Sequence, residues 1–263
     1  MPDSTPVDDF RQWLQQRIEA GERISLAARL QDGEQPPAAA AARIDKATPP
    51  AATAPAASAA TPPAASAAGP GPTSSVEDSL EKIAAEVRAC TRCRLHETRT
   101  QAVPGVGPDT AGLVFIGEGP GADEDRKGEP FVGRAGQLLT RIIESVQLRR
   151  EDVFISNIVK CRPPNNRDPR PDEVAACEPF LKRQLAALQP NTICALGRHA
   201  AITLLHKQDS MARLRTGEHF YEGVRVFPTY HPAALLRNPQ WKRPVWEDIQ
   251  SIRRHYDSAS ENP

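Results

Sequence analysis

Apolar runs alternate with amphipathic stretches of helical length along the chain from Ser75 onward. Four of these runs are apolar enough to form buried strands: 112–117, 153–159, 191–197 and 224–230. Apolar residues at helical spacing predict a crossover helix over 134–146, and a Pro-Asp pair typical of a first helical turn predicts another over 171–188. This alternation predicts a single three-layer α/β/α domain over residues 76–263, with a mostly parallel central sheet of about four strands.

The first 75 residues follow a different pattern. Apolar residues recur at helical spacing within 7–20, so residues 1–30 are predicted to contain a short amphipathic helix, which could dock a protein partner or could fray on its own. Alanine and proline dominate residues 31–75. Such a composition cannot bury enough apolar surface to offset the entropy lost on ordering, so we expect a disordered linker there.

The charge balance excludes a uniformly basic protein. The chain has 33 Lys and Arg residues and 33 Asp and Glu residues, so contacts with nucleic acid would have to come from local basic patches. No apolar stretch is long enough to span a bilayer, and the acidic, proline-containing start lacks the basic and apolar regions of a signal peptide. We therefore expect a cytoplasmic protein that does not bind membranes.

A glycine-rich segment, GEGPGADEDRKGEPFVGRAG, follows the first apolar run at 117–136. Glycine-rich loops after strands often bind phosphate, but this one contains five acidic residues and lacks both the Lys-Ser/Thr pair of a P-loop and the GxGxxG spacing. Ligands of open parallel sheets bind beyond the carboxyl ends of the strands, where this loop meets those near Asn157 and after Val226. From the residues alone, the segment is either a solvated turn or a loop that faces a group other than phosphate.

Four of the five cysteines have the spacing of a metal site. Cys90 and Cys93 form a CxxC pair, and Cys161 and Cys177 follow at separations of 68 and 16 residues. Four thiolates suit either a [4Fe-4S] cluster or structural zinc, and spacing alone does not separate the two. Cys194 lies inside an apolar run and is predicted to pack as a small hydrophobic residue.

Four segments in order resemble the iron-sulfur-containing (family 4) uracil-DNA glycosylases of bacteria and archaea, over roughly residues 76–256. They are the CxxC pair, 117–139, 156–177 and 228–237. The resemblance implies a DNA repair enzyme that acts on uracil-containing DNA, single- or double-stranded. It would flip the uracil out, hydrolyse its N-glycosidic bond and leave an abasic site for base excision repair. It also implies a [4Fe-4S] cluster on the four cysteines, with structural zinc as the alternative, and we expect a monomer.

The resemblance assigns three side chains to the flipped uracil. Phe131 would stack on the ring. Asn157 would donate to O4 and accept from N3-H, a pattern that cytosine does not offer. His231 would donate a hydrogen bond to O2 and stabilise the departing uracil anion.

The same comparison leaves the water-positioning residue open. Gly119, a substrate-binding position, stands where other uracil glycosylases carry an aspartate that positions the water. Glu118 and Glu124 are the remaining candidates for positioning water or stabilising the sugar cation. Gly121 stands where those enzymes have a tyrosine that excludes thymine, and Glu124 could exclude thymine sterically instead.

Two loops carry the predicted DNA contacts. Arg162 and Arg167 follow Cys161, and Arg237 follows the His231 loop, so these arginines are candidates for phosphate contacts. Leu235 or Leu236 would enter the minor groove as an apolar wedge, although a helix start that buries both leucines is the alternative. A metal on the four cysteines would then hold a DNA-facing loop in place.

One rival interpretation belongs to a different class. A non-catalytic iron-sulfur module that binds DNA or senses redox state would use the cysteines and the basic loops but would cleave nothing. Such a module needs neither Asn157 nor His231, since neither side chain is required for binding phosphate.

Overall fold

The computed structural model describes residues 78–261 of the chain. The predicted N-terminal helix within 1–30 and the predicted linker over 31–75 lie outside these residues. Five strands form one sheet in the order β2-β1-β3-β5-β4. Their bounds are β1 Leu113–Gly117, β2 Phe154–Asn157, β3 Thr192–Leu196, β4 His219–Tyr221 and β5 Val224–Thr229. Each of the four predicted strands is present, and these four pair in parallel.

Within residues 78–261, eight α-helices accompany the sheet. Their bounds are α1 Leu80–Ala89, α2 Ala122–Lys127, α3 Arg134–Glu144, α4 Pro171–Leu188, α5 Arg198–Leu205, α6 Met211–Leu214, α7 Pro232–Arg237 and α8 Lys242–Glu261. The two predicted crossover helices correspond to α3 and α4. None of the described helices combines the length and the apolar composition needed to cross a membrane.

Alternation of side chains along the strands builds a core on each face of the sheet. Val114 and Ile116 of β1 lie on one face, in a core shared with α1, α4 and α5. Leu113 and Phe115 lie on the other, in a core shared with α3 and α8. Cys194 of β3 is fully buried in this second core, which confirms that it packs as a hydrophobic residue. The three-layer α/β/α prediction is therefore confirmed.

The fifth strand, β4, is the difference from the predicted sheet of about four strands. It has only three residues and pairs antiparallel with β5. A tight turn joins the two strands, with positive φ at Glu222 (48°) and Gly223 (82°). Because β4 is an edge strand and its middle residue, Phe220, is 58% exposed, it has no apolar run by which the sequence could reveal it.

Candidate active site

A pocket of about 520 Å³ opens beyond the carboxyl ends of β1, β2, β3 and β5. The loops that follow parallel strands all lie at the same edge of the sheet, so segments far apart in sequence meet there. Eight of the predicted site residues line this pocket: Glu118, Gly119, Glu124, Phe131, Asn157, Arg167, His231 and Arg237. The glycine-rich segment therefore forms one wall of a cavity and is not merely a solvated turn.

Asn157 ends β2 with its side chain inside the pocket wall. The residue is 1% exposed, and its Oδ1 is a buried acceptor that has no hydrogen-bond partner among the described residues. Gly117, its register partner on β1, makes room for it, because a Cβ on residue 117 would lie 2.4 Å from Asn157 Oδ1. An unsatisfied buried acceptor typically costs about 1–3 kcal/mol, so such an atom on a side chain that lines a pocket calls for a functional explanation.

Phe131 faces the same cavity from a strained backbone. Its φ is 53°, a conformation that non-glycine residues rarely adopt and that concentrates at functional sites. Its ring lies against His231, with centroids 5.5 Å apart and planes tilted by 32°. Arg150 supports the loop by donating from Nη2 to the carbonyl of Pro130 at 2.7 Å. The loop thus holds an aromatic face at the pocket in a defined position.

Glu124 is a structural clamp for this loop. Its Oε1 accepts hydrogen bonds from the backbone N–H groups of Val132 and Gly133 at 2.9 and 3.0 Å. Its Oε2 accepts from the N–H of Gly121 at 3.1 Å. A Cβ on Gly121 would lie 2.7 Å from Oε2, so the carboxylate occupies the space that a side chain at residue 121 would fill. Both oxygens of Glu124 are therefore committed to the backbone.

His231 sits just before α7 as its N-cap. Its Nδ1 accepts a hydrogen bond from the N–H of Ala233 at 3.1 Å, which leaves Nε2 as the protonated nitrogen of a neutral ring. Burial lowers the pKa of His231 to about 4, and the Arg237 cation adds to this effect. At neutral pH the imidazole is therefore uncharged, with one N–H to donate.

Glu118 follows β1 and contacts His199, which in turn contacts Asp168; sequence reasoning selected neither of these two side chains. Its Oε2 lies 2.8 Å from His199 Nδ1, and that nitrogen lies 3.2 Å from Asp168 Oδ1. Burial raises the pKa of Glu118, and the His199 contact opposes this rise. The three ligand atoms lie within 4.8 Å of one another, a spacing that could also hold a metal ion. His199 comes shortly after the carboxyl end of β3, so the rule for ligand positions in parallel sheets was the signal that could have found it.

The leucines after His231 do not occupy equivalent positions. Leu235 is 1% exposed and belongs to the core shared with α3 and α8, so the structure argues against Leu235 as a wedge. Leu236 is half-buried and Arg237 is exposed. The difference arises because α7 begins at Pro232 and turns successive side chains through about 100°, so that one leucine faces the core.

The two predicted phosphate-binding arginines of the cysteine-bearing loop are tied to neighbours. Arg167 makes a bidentate pair with the fully buried carboxylate of Glu173, at 2.6 and 2.8 Å. Arg162 donates from Nε to Asn166 Oδ1 at 2.7 Å. These bonds shape the loop between Cys161 and Cys177, and Arg167 reaches the pocket from it.

The four predicted metal-binding cysteines are brought together. Cys90, Cys93, Cys161 and Cys177 line one small cavity, which shares no lining residue with the pocket described above. Arg99 donates to the sulfur of Cys161 at 3.0 Å, and the backbone N–H of Lys160 donates to that of Cys177 at 3.2 Å. Burial raises the pKa of the Cys177 thiol to about 11, so a bound metal is what would deprotonate it at neutral pH. Among the described residues, no three cysteine sulfurs lie within 4.8 Å of one another.

Comparison with known proteins agrees with this geometry. Residues 104–250 match the family model described as the uracil DNA glycosylase superfamily. A type-4 uracil-DNA glycosylase of Archaeoglobus fulgidus is 48% identical over 183 residues, which are 66% of this chain and 92% of that relative. The type-4 uracil-DNA glycosylase of Thermotoga maritima is 45% identical over 181 residues, 67% of this chain and 94% of the relative. A type-5 uracil-DNA glycosylase of Pyrobaculum aerophilum is 33% identical over 153 residues, 52% of this chain and 67% of the relative. The chain therefore belongs to the uracil DNA glycosylase superfamily and, within it, to the type-4 enzymes.

Proposed function

We propose that this chain releases uracil from DNA by hydrolysing the N-glycosidic bond of deoxyuridine, leaving an abasic site for base excision repair. The observation that carries the proposal is the unsatisfied Oδ1 of Asn157, buried beside Phe131 and His231 in one pocket. A flipped uracil would supply the missing donor. The named activity of the type-4 relatives supports the same conclusion.

Base recognition falls to Asn157 and Phe131. Asn157 Oδ1 accepts the N3-H of uracil while its amide group donates to O4. Cytosine has a bare N3 and an amino group at these positions, so both contacts become mismatched and the buried acceptor stays unsatisfied. Such a bidentate contact is typically worth about 1–3 kcal/mol of discrimination. Phe131 stacks on the neutral ring, which needs no charge complement.

His231 stabilises the leaving group. When the bond between C1′ and N1 breaks, its electron pair goes to uracil, and negative charge spreads to O2. A neutral imidazole that donates from Nε2 meets this charge without having to lose a proton. The bond from Ala233 to Nδ1 supports this role, since it leaves the proton on Nε2.

Glu118 stabilises the positive charge that develops on the sugar. Loss of uracil leaves positive charge on the sugar ring, and a carboxylate at about 4 Å from a full positive charge is worth roughly 4 kcal/mol at an effective dielectric of about 20. Water then adds to C1′ and gives up a proton, which Glu118 accepts. Glu124 is less suited to this step because backbone N–H groups occupy both of its oxygens. We assign Glu124 instead to the exclusion of thymine, because its carboxylate fills the space beside Gly121.

The four cysteines would hold a [4Fe-4S] cluster. Tetrahedral zinc with bonds of about 2.3 Å needs sulfur atoms about 3.8 Å apart, closer than any three of these sulfurs approach. Hydrogen bonds from Arg99 and from the Lys160 backbone suit thiolate ligands. Hydrolysis needs no electron transfer, so we assign the cluster a structural role: it would hold the loop between Cys161 and Cys177.

We further propose DNA contacts around the mouth of the pocket. Leu236 is the candidate wedge into the base stack that the flipped nucleotide leaves, because it is less buried than Leu235. Arg162, Arg167 and Arg237 lie in the two adjoining loops as candidate phosphate contacts.

The test uses purified protein and oligonucleotides that each carry a single uracil, in single-stranded and duplex form, with otherwise identical thymine and cytosine oligonucleotides as controls. Alkali converts abasic sites into strand breaks. We expect breaks at uracil alone, and their loss in Asn157→Ala. Absence of breaks in both uracil substrates would refute the proposal and favour a non-catalytic module, which has no use for a buried, unsatisfied amide oxygen.

A further inference from the structure

Glu118 is held by a neighbour that the reaction outlined above does not use. His199 Nδ1 lies 2.8 Å from Glu118 Oε2 and 3.2 Å from Asp168 Oδ1. Carboxylate oxygens only accept hydrogen bonds, so the nitrogen between them must carry a proton. The His199 ring is therefore fixed in the state with a proton on Nδ1, and that single N–H is shared between two carboxylates.

The backbone sets the position of this ring. His199 lies in the first turn of α5, directly after Gly197 and Arg198. Gly197 has φ of 91°, and a Cβ there would lie 3.0 Å from the His231 Cβ. Its N–H donates to the carbonyl of Thr229 at 2.8 Å. Glycine is thus required at residue 197, where β3 and β5 end side by side, and this junction places His199 opposite Glu118 across the pocket.

We infer that His199 is a positioning residue for uracil excision, holding the Glu118 carboxylate through Oε2 so that Oε1 is free for the sugar and the attacking water. This inference rests on the proposed role of Glu118. In the reaction it assists, the bond to N1 breaks with its electron pair on uracil, and the water oxygen then bonds to C1′ of the sugar cation. The released water proton passes to Oε1, so His199 itself gains and loses nothing.

The contact between His199 and Glu118 also affects the pKa of Glu118. Burial raises the pKa of Glu118, and His199 opposes this through its charge and its hydrogen bond, while Asp168 adds to the rise. Removing His199 would therefore raise the pKa of Glu118. Because the carboxylate is the active form, activity would then be lost at a higher pH as the solution is acidified. The other charged or titratable groups that line the pocket are Glu124, Arg167, Arg198, His231 and Arg237.

Asp168 connects this pair to the cysteine-bearing loop. Its side chain is 72% exposed, against 35% for His199 and 31% for Glu118. Water therefore screens the contact of Asp168 with His199 more than it screens the contact of Glu118 with His199. Asp168 lies between Cys161 and Cys177 in sequence. Its role is to hold the other side of the shared N–H, and Asp168→Asn should have a smaller effect than any change that removes the His199 nitrogen.

The experiment compares His199→Leu with His199→Asn in single-turnover uracil release across a pH series. Asparagine can place an N–H donor where Nδ1 lies, whereas leucine cannot. We expect His199→Leu to lower the rate at saturating enzyme at least tenfold, with a smaller change in half-saturation, and to move the acid limb to higher pH. His199→Asn should restore most of the rate, and the acid limb should lie between those of His199→Leu and wild type, because asparagine restores the hydrogen bond but not the charge. His206→Asn, at the far end of the same helix, is the matched control and should behave as wild type.

Glu118→Gln separates failure of this inference from failure of the proposed function. If Glu118→Gln is fully active, the assigned role of Glu118 is wrong. If Glu118→Gln is inactive while His199→Leu keeps the wild-type rate and pH profile, only the role of His199 is wrong. The double variant should be no slower than Glu118→Gln, because His199 acts through Glu118, and an additive loss would overturn the inference. Thermal unfolding of each variant identifies any that fail to fold, in which case His199→Asn still tests the pH profile.

Discussion

Gly117→Ala tests the base pocket sharply because this glycine touches both side chains assigned to uracil. An alanine Cβ would lie 2.4 Å from Asn157 Oδ1 and 2.7 Å from Phe131 Cζ. Nonbonded carbon atoms rest at about 3.5–4.0 Å, so each side chain has to move by roughly 1 Å. The three atoms nearest to the new Cβ all belong to these two side chains, so the first shifts occur at the face that uracil would contact.

The expected loss follows from the two contacts. A bidentate base contact is worth about 1–3 kcal/mol and stacking on an aromatic ring about 1–3 kcal/mol. Losing both raises the barrier from free enzyme and DNA by about 2–6 kcal/mol, a decrease of about 30-fold to more than 10,000-fold in excision at low enzyme concentration. The free energy of unfolding should change much less, since the displaced side chains can move into the open pocket.

The assay is single-turnover release of uracil, with thermal unfolding measured in parallel. Gly112→Ala is the matched control, because it lies just before β1 at the other end of the strand, where the new Cβ would lie 3.0 Å from the ring of Tyr256 and in ordinary contact with the Asn191 side chain, at 3.6 Å. This control should keep its activity. If Gly117→Ala released uracil at the wild-type rate, Phe131 and Asn157 could not both be the base-contacting residues.

Three further predictions follow from burial and titration. The free energy of unfolding should decline by about 2–3 kcal/mol as pH falls from 6.5 to about 4, because the unfolded chain binds a proton that folded His231 does not, and calorimetry of His231→Gln should lack this part of the decline. Leu235→Ala should cost about 2–5 kcal/mol of stability. Leu236→Ala should cost less, because Leu236 is only partly buried against the same core, but it should weaken duplex binding and excision more, a contrast that denaturant titration and kinetics can check. Cys177→Ser should lose iron, visible absorbance and thermal stability; zinc in anaerobically purified wild-type protein would contradict the cluster assignment.

The sheet was predictable because its central strands are buried on both faces. Such strands read as continuous apolar runs, and all four runs contain a strand, each with bounds within two residues of those predicted. Helix α4 matches its predicted bounds, since Pro171 and Asp172 mark its first turn. The edge strand β4 carries no such signal, because three residues with an exposed central side chain do not form a pattern.

Only those site residues that lie in recognisable sequence motifs could be predicted. Phe131 and Asn157 could be selected because family resemblance covers the segments that contain them. Glu118 and Glu124 could not be told apart, because the hydrogen bonds from Val132 and Gly133 that occupy Glu124 cannot be read from the sequence. His199 was missed for a related reason: a histidine at a helix start acquires a role only from the carboxylates that the fold brings to it.

The buried ammonium of Lys160 links the two sites of the molecule. Its Nζ donates to Ser156 Oγ at 2.6 Å, to the Asn157 carbonyl at 2.8 Å and to Gln184 Oε1 at 2.7 Å, while its own N–H donates to Cys177 Sγ at 3.2 Å. A buried cation is tolerated only where such partners surround it, so the backbone of Asn157 is held by the same residue that borders the cysteine cavity. Cys161 and Cys177 also belong to the core that packs on this face of the sheet, so the cysteine cavity is continuous with the packing behind Asn157. A metal held by the four cysteines would thus be linked through Lys160 to Asn157, the residue proposed to recognise the base, without taking part in hydrolysis.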